Sequence, residues 1–136
     1  MTISFKSLVA GQEYDRPFLA NLWGYQSWHA IGRGIFTPKD QGLMILFVTE
    51  NKQESLIQYK DRFDGQHLVI EGEIRHGTDQ RIANSQQTQD RIFLFHRIKH
   101  HMSFVYYGEI ILTDYQLRTT EPSTFYFDLV EESSVP

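Results

Sequence analysis

The chain has 136 residues and a formal net charge of −4, with 40% hydrophobic, 22% charged and 14% aromatic residues. That length suits one domain with a real core and excludes a two-domain enzyme. The absence of cysteine excludes disulfides, thiolate nucleophiles and cysteine-ligated zinc, and fits a reducing cytoplasm.

In chain order, the start MTISFKSLVAG lacks the regions of a secretion signal. No uninterrupted apolar run approaches the roughly 20 residues that span a bilayer, so a soluble, cytoplasmic protein without a membrane partner is expected. Asp15-Arg16-Pro17 supplies a cap and an early proline; Phe18, Leu19, Leu22 and Trp23 recur at helical spacing, and Gly24 ends the run, which predicts one short helix. Apolar and β-branched runs bounded by turn residues then predict strands over Ile31–Thr37, Leu43–Thr49, Gln66–Ile70, Arg91–Ile98, Ser103–Tyr115 and Thr124–Leu129. Asp40-Gln41-Gly42 and Asp64-Gly65 are turns between them. Glu54–Arg62 reads as a possible second short helix, against which Tyr59 and Phe63 weigh; Asn84–Gln89 reads as a loop, and about 130–136 as a frayed tail or the start of a linker.

In the late strands apolar residues occupy both parities, as in Ile92-Phe93-Leu94-Phe95 and Phe104-Val105-Tyr106-Tyr107. Either both faces are covered or the strand bends, with Gly108 a candidate for the bend. The expected architecture is a mainly β (α+β) single domain over 1–136, a small curved or closed β-barrel with one or two short helices.

The chemistry concentrates between Tyr59 and Asn84, where a strand runs into carboxylates, guanidiniums, an imidazole and two glycines. Glu71, Gly72, Glu73, Arg75, His76, Gly77, Asp79, Arg81 and Asn84 offer donors and acceptors on backbone able to approach a ligand closely. Charge is uneven along the chain. Arg75–His101 carries five basic residues, two acidic ones and four histidines, whereas 102–136 carries Arg118 against six acidic residues. One positive face is therefore compatible with the negative total, as are two solvated surfaces of opposite sign.

Catalytic readings find little support. His96, His100 and His101 with Glu71, Glu73 and Asp79 are conceivable metal ligands, and the spacing of HRIKHH puts His96 and His100 on one side of a strand or helix, yet no carboxylate completes a motif. No serine sits in a glycine elbow and no glycine loop cradles phosphate. A base reader asks for aromatic rings, an acceptor for the base edge and cations for the backbone. Those parts are present: Trp23, Tyr25, Trp28, Phe36, Tyr59, Phe104, Tyr106 and Tyr107; Asp61 or Asp64; and Arg75, Arg81, Arg97, Lys99, His100 and His101.

The blocks GYQSWHAIGRGIFTP, LMILFVT, YKDRFDG, LVIEGEIRHGTDQRIAN, IFLFHRIKHH and FVYYGEI occur in that order. Over about Gly11–Leu129 the chain resembles a domain attached to modification-dependent restriction endonucleases of the McrA-like HNH type. That domain is similar to the SET-and-RING-associated (SRA) readers of modified cytosine and, more distantly, to PUA, ASCH and YTH domains. The resemblance implies a PUA/SRA-like fold and a non-catalytic role without cofactor or metal. It also implies, as partners, double-stranded DNA carrying a modification and a fused or separate nuclease or other effector. Tyr59 would stack on an extruded base such as 5-methylcytosine or 5-hydroxymethylcytosine, and Asp61 or Asp64 would accept from its edge. Gly72 would mark the strand end, with Asp79, Arg81 and Asn84 in the following loop. Where SRA domains place an aromatic residue two before that glycine, this chain has Ile70; the second stacking face then comes from elsewhere, Trp28 being one candidate, or the pocket differs.

The expected base pocket is thus Trp28, Tyr59, Asp61, Asp64, Glu71 and Asp79, and the expected backbone contacts are Arg33, Arg75, His76, Arg81, Asn84, Arg97, Lys99, His100 and His101. Each has a plainer role available. Asp61 or Asp64 beside Gly65 can shape a turn, Arg33 can pair with a buried carboxylate, and Glu71 and Glu73 can share a solvated face unless burial raises the Glu71 pKa. The alternatives are a reader of RNA or of phosphorothioate DNA, or a small metal-dependent nuclease or nucleotide hydrolase using Glu71, Asp79 and the histidines.

Overall fold

A computed structural model describes residues 3–51, 61–71, 77–131 and 135–136. Tyr59, Gly72, Glu73, Arg75 and His76, and nearly all of the possible helix at 54–62, lie outside the described residues. The elements in order are β1 (Glu13–Tyr14), α1 (Arg16–Leu22), a 3-10 turn (Trp28–Ile31), β2 (Ile35–Phe36), β3 (Leu43–Asn51), β4 (Arg62–Phe63), β5 (His67–Glu71), α2 (Asp79–Ala83), α3 (Ser85–Thr88), β6 (Arg91–Lys99), β7 (Phe104–Gln116) and β8 (Thr124–Leu129). No helix among the described residues is long and apolar enough to cross a membrane.

The predicted helix forms as its cap dictates: the Asp15 carboxylate accepts from the Phe18 N–H at 2.8 Å, and Gly24 leaves the helix at φ +84°. Two local expectations need correction. Of Ile31–Thr37 only Ile35–Phe36 is strand, and Ile31 ends the 3-10 turn Trp28–Ile31, which Ser27 caps through the His29 N–H. Asn84–Gln89 is not a bare loop: Ser85–Thr88 makes one helical turn whose Ser85 is buried and whose Gln86 amide donates to the Leu112 carbonyl.

All strands join one mixed sheet in the order β2-β3-β6-β7-β8-β5-β4, with β1 beside β7. One pair, β3 and β6, is parallel, with Leu43 opposite Arg91 and Asn51 opposite Lys99. A parallel pair needs a crossover, here the route through β4, β5, α2 and α3. The sheet is therefore mostly β with short helices, as expected, but rolled rather than closed into a ring of strands.

The roll is measurable. Four steps of the sheet order separate β4 from β6, about 19 Å if flat, yet the Phe63 and His96 rings are 5.2 Å apart. Across the opening the Phe63 N–H donates to the Glu50 carboxylate at 3.1 Å, so a side chain stands where a strand-to-strand bond would lie in a closed barrel.

Both sheet faces are covered, which explains the apolar residues at both parities. On the outer face Leu43, Ile45, Phe47, Phe93, Phe95, Phe104 and Tyr106 pack with Ile3, Phe5, Leu19, Trp23 and Ile31. Inside the roll Met44, Leu46, Val48, Leu68, Ile70, Ile92, Leu94, Ile110, Leu112, Phe125 and Phe127 pack with Ile82 of α2. The switch happens at Gly108: Leu94 pairs Gly108 and Phe95 pairs Tyr106, so Tyr107 is an extra residue, a bulge. It sends Phe104 and Tyr106 outward but Ile110 and Leu112 inward. Val135 packs on the outer core, and the Phe5 N–H donates to the Pro136 carbonyl at 2.8 Å.

Gly108 sits at φ +94° with open space where a Cβ would be, whereas Gly34 lacks a positive φ and would place a Cβ 3.8 Å from the Phe47 carbonyl. Gly108→Ala is expected to cost about 1–2 kcal/mol through backbone strain, and Gly34→Ala to be neutral or mildly stabilising; urea midpoints compare them. Removing the clasp across the opening by Glu50→Ala is expected to cost about 1–3 kcal/mol, with Glu50→Gln recovering much of it because the amide oxygen still accepts from Phe63.

Candidate nucleic-acid interface

The opening of the roll carries a polar and aromatic cluster. Parallel pairing sets Val48 opposite His96, so Glu50, two residues on, shares its face. His96 is only 5% exposed, and its Nε2 lies 3.1 Å from a Glu50 carboxylate oxygen, though outside hydrogen-bond geometry. Phe63 meets Tyr107 edge-on at 4.6 Å and His96 at 5.2 Å. Phe63, His96, Val105 and the bulge residue Tyr107, with Arg97 and Met102, line a cleft of about 310 Å³. Beside it Asp61, 9% exposed, accepts from the Glu71 N–H at 3.0 Å. A buried carboxylate near aromatic rings, at the mouth of a curved sheet, can address the hydrogen-bonding edge of a planar heterocycle while rings cover its faces.

The expected pocket residues divide among several surfaces. Asp64 accepts from the Gln66 and His67 N–H groups at 2.9 and 2.7 Å, which hold its carboxyl below the usual range and fix the β4–β5 turn, with Gly65 at φ +100°. Of the two aspartates, Asp64 shapes the turn and also lines the cleft of about 310 Å³, whereas Asp61 is buried. Asp79, at the start of α2, is 5% exposed. Glu71 is half-buried on the other side of the hairpin, where it lines a cleft of about 460 Å³ with Arg62, Arg118 and Tyr126. Trp28 stands apart from the Asp61 cluster and lines a third cleft, on the outer face.

The expected backbone contacts also separate. Arg97, His100 and His101 share the outer cleft with Trp28, and Lys99 is exposed at the end of β6. Arg33 is exposed too, its carbonyl accepting from Arg16 Nη2 at 3.3 Å; its side chain has no ion pair among the described residues. At the other end of β6, Arg81 is held by Asp90 at 3.1 Å and reaches the Leu43 carbonyl, while the Asn84 side chain accepts from Gln80 Nε2 at 3.1 Å. His96 and His100, expected on one side, line different clefts, because β6 stops at Lys99 and the turn reverses through His101 at φ +70°. Among the described residues no three histidine or acidic side chains are grouped as for a metal ion.

Sequence reading missed Glu50, Phe63 and His96 as members of the site, and Arg16 altogether. Glu50 ends the run LMILFVTE, where alternation alone puts it on the Val48 face; its partner Phe63 comes from the far edge of the sheet, beyond any local pattern. Tyr106, Phe104 and Trp23, counted among the ring candidates, are outer-core residues.

No protein-family model matches the chain, and no curated protein matches it in sequence. Among solved structures it is similar to the SUVH5 SRA domain in complex with hemi-methylated CG DNA, at 15% identity over 98% of this chain and 97% of that one, with a TM-score of 0.64. The same domain bound to fully hydroxymethylated CG DNA gives 13% identity, 98% and 97% coverage and a TM-score of 0.62. The DNA modification-dependent restriction endonuclease AspBHI gives 13% identity over 97% of this chain and 77% of that one, with a TM-score of 0.51. Extending over nearly every residue, these likenesses establish that the chain has the fold of an SRA domain.

Proposed function

We propose that this chain is a non-catalytic reader of modified double-stranded DNA that takes one extruded base into the mouth of its rolled sheet and delivers a fused or partner nuclease, or another effector, to the site. The observation that carries the reading is the ring-walled hollow, lined also by Asp64 and with the Glu50 carboxylate against its His96 wall, at the opening of a sheet whose fold matches SRA domains solved with methylated and hydroxymethylated DNA.

In this reading Asp61 or Glu50 accepts from the exocyclic amine of a cytosine-type base, and Phe63, Tyr107 and Tyr59 supply ring faces. Asp79, buried at the start of α2, is assigned to the pocket as well. Unstacking costs a few kcal/mol, repaid by burial of the base and by phosphate contacts from the β6–β7 end, Lys99 and His101 among them. Arg33, Arg75, His76, Arg81 and Asn84 are assigned to the flanking backbone, with Arg81 first having to exchange its Asp90 partner for phosphate. A metal-dependent hydrolase built on Glu71 and the histidines is disfavoured by geometry, since Glu71, His96 and His100 line three different clefts.

Duplexes carrying 5-methylcytosine, 5-hydroxymethylcytosine, N6-methyladenine or a phosphorothioate, with unmodified duplex and single-stranded RNA as controls, are expected to separate a cytosine-modification reader from the other readers by at least tenfold in affinity. Asp61→Ala is expected to weaken the preferred duplex ten- to hundredfold, about 1.4–2.7 kcal/mol, while leaving the unmodified duplex nearly unchanged. Equal binding to every duplex would overturn the assignment.

A further inference from the structure

On the outer face, at the end of the sheet where β6 turns into β7, two arginines from distant parts of the chain come together. Arg16 opens α1 and Arg97 lies near the end of β6. Both guanidiniums lie over the Phe104 ring, at 4.9 and 4.2 Å from its centroid, and Arg16 also lies over Phe47 at 4.8 Å. With Trp28, His100, His101 and Met102 they line a cleft of about 340 Å³.

The charges are uncompensated. Arg16 donates to the Arg33 carbonyl, and Arg97 to the Thr49 hydroxyl at 2.8 Å and the Met102 carbonyl at 3.1 Å, all neutral acceptors. The buried Nε of Arg16 has no partner. Among the described residues neither arginine has an ion pair, and the one acid lining the cleft, Asp15, is engaged by the Phe18 N–H. Burial, and then the neighbouring Arg97, push the Arg16 guanidinium down to about 10, and burial lowers Arg97 as well. His100 is lowered by burial and then by His101, Arg97 and Arg16. Two partly desolvated like charges without a counterion are unfavourable in the empty site and favourable once an anion enters. Aromatic faces beneath both guanidiniums hold them in place, so little ordering remains to be done on binding.

We propose that this cleft is a binding site for one phosphate group, gripped through its oxygens by Arg16 and Arg97 from two directions, with Trp28 and His100 as walls. Planar guanidinium forks match phosphate oxygens in pairs, and an indole beside the anion offers a stacking face to an attached sugar or base. Two sources share this chemistry: a free or terminal phosphate, and a diester of the DNA backbone. The second rests on the reader function proposed above. The outer cleft and the mouth of the roll share Arg97, Met102 and Ser103, so a strand whose base enters the mouth would pass its neighbouring phosphate over the same turn.

The test uses the full chain and inorganic phosphate at constant ionic strength, with chloride as the balancing anion. The urea unfolding midpoint is expected to rise with phosphate and saturate, and the saturable rise to vanish in Arg16→Met and Arg97→Met, which keep the apolar stems. If Arg16→Met loses its cooperative transition, Arg97→Met and Arg16→Lys carry the comparison, the lysine being expected to weaken saturation by removing the fork. An equal rise in wild type and variants, or none beyond chloride, overturns the site. In a second arm, duplex binding is followed against salt. A DNA phosphate predicts a slope shallower by about one in Arg97→Met; an unchanged slope assigns the site to a free or terminal phosphate. The inorganic arm contains no modified base, so its failure and a failure of the reader function are separate results.

Discussion

The rolled sheet depends on a carboxylate that does the work of a missing strand. Glu50, near the end of β3, takes the Phe63 N–H of β4 across the opening, between strands five steps apart in the sheet order. A backbone donor at a buried edge needs a partner, and a side-chain acceptor satisfies it without closing the ladder. The consequence is an aperture with a negative charge at its rim. His96 beneath it sets an imidazole nitrogen 3.1 Å from that carboxylate, and the two rings that flank it, Phe63 and Tyr107, come from either side of the gap.

A single extra residue gives the sheet its second surface. Without the bulge at Tyr107 and Gly108, β7 would keep one face throughout, and Phe104 would share a side with Ile110 and Leu112. With it, the first third of β7 presents Phe104 outward as the platform for Arg16 and Arg97, while the rest fills the inside of the roll. The two clefts are thus products of the same strand end: an acid with aromatic rings inside, and cations on an aromatic ring outside. Their opposite chemistry is set by alternation, since Arg97 and His96 are neighbours that face opposite ways.

This accounts for what was legible in the sequence. Strands β3, β5, β6, β7 and β8 were readable because long apolar runs between turn residues report their own conformation, and Gly108 announced the bend because little else suits a bulge in so apolar a strand. The segment Ile31–Thr37 looked like a strand from its β-branched residues, but Ser27 and two glycines favour a tight turn there. Ser85–Thr88 has no apolar periodicity to reveal a helix; its turn exists because Ser85 is buried and Gln86 reaches β7. The site is legible as a neighbourhood rather than as a constellation: Asp61 and Asp64 flank Phe63 in sequence, but the Glu50, Phe63 and His96 grouping arises from a pairing between sheet edges that no local window contains. Arg16 was hidden by its position in a helix cap, where its neighbours explained the local structure and left its side chain unread.

The negative total charge does not oppose a nucleic-acid role once the charges are located. Arg91 is neutralised by Glu109 through two hydrogen bonds, and Arg81 by Asp90, so the basic excess of the middle segment is largely spent at one end of β6. Among the described residues of that segment Arg97 and the exposed Lys99 have no ion pair and lie at the other end, beside the aperture, where Arg16 joins them. Screening limits exposed charges to about 8–10 Å of influence at physiological salt, so a polyanion responds to that local group rather than to the sum over the chain. On the proposed reader function, a few such contacts would hold DNA loosely and without regard to sequence, and discrimination would fall to the aperture, where only a base that has left its stack could reach the carboxylate. Placing the two on opposite faces of one strand end would, on that function, let weak backbone contact precede base inspection without either set of groups neutralising the other.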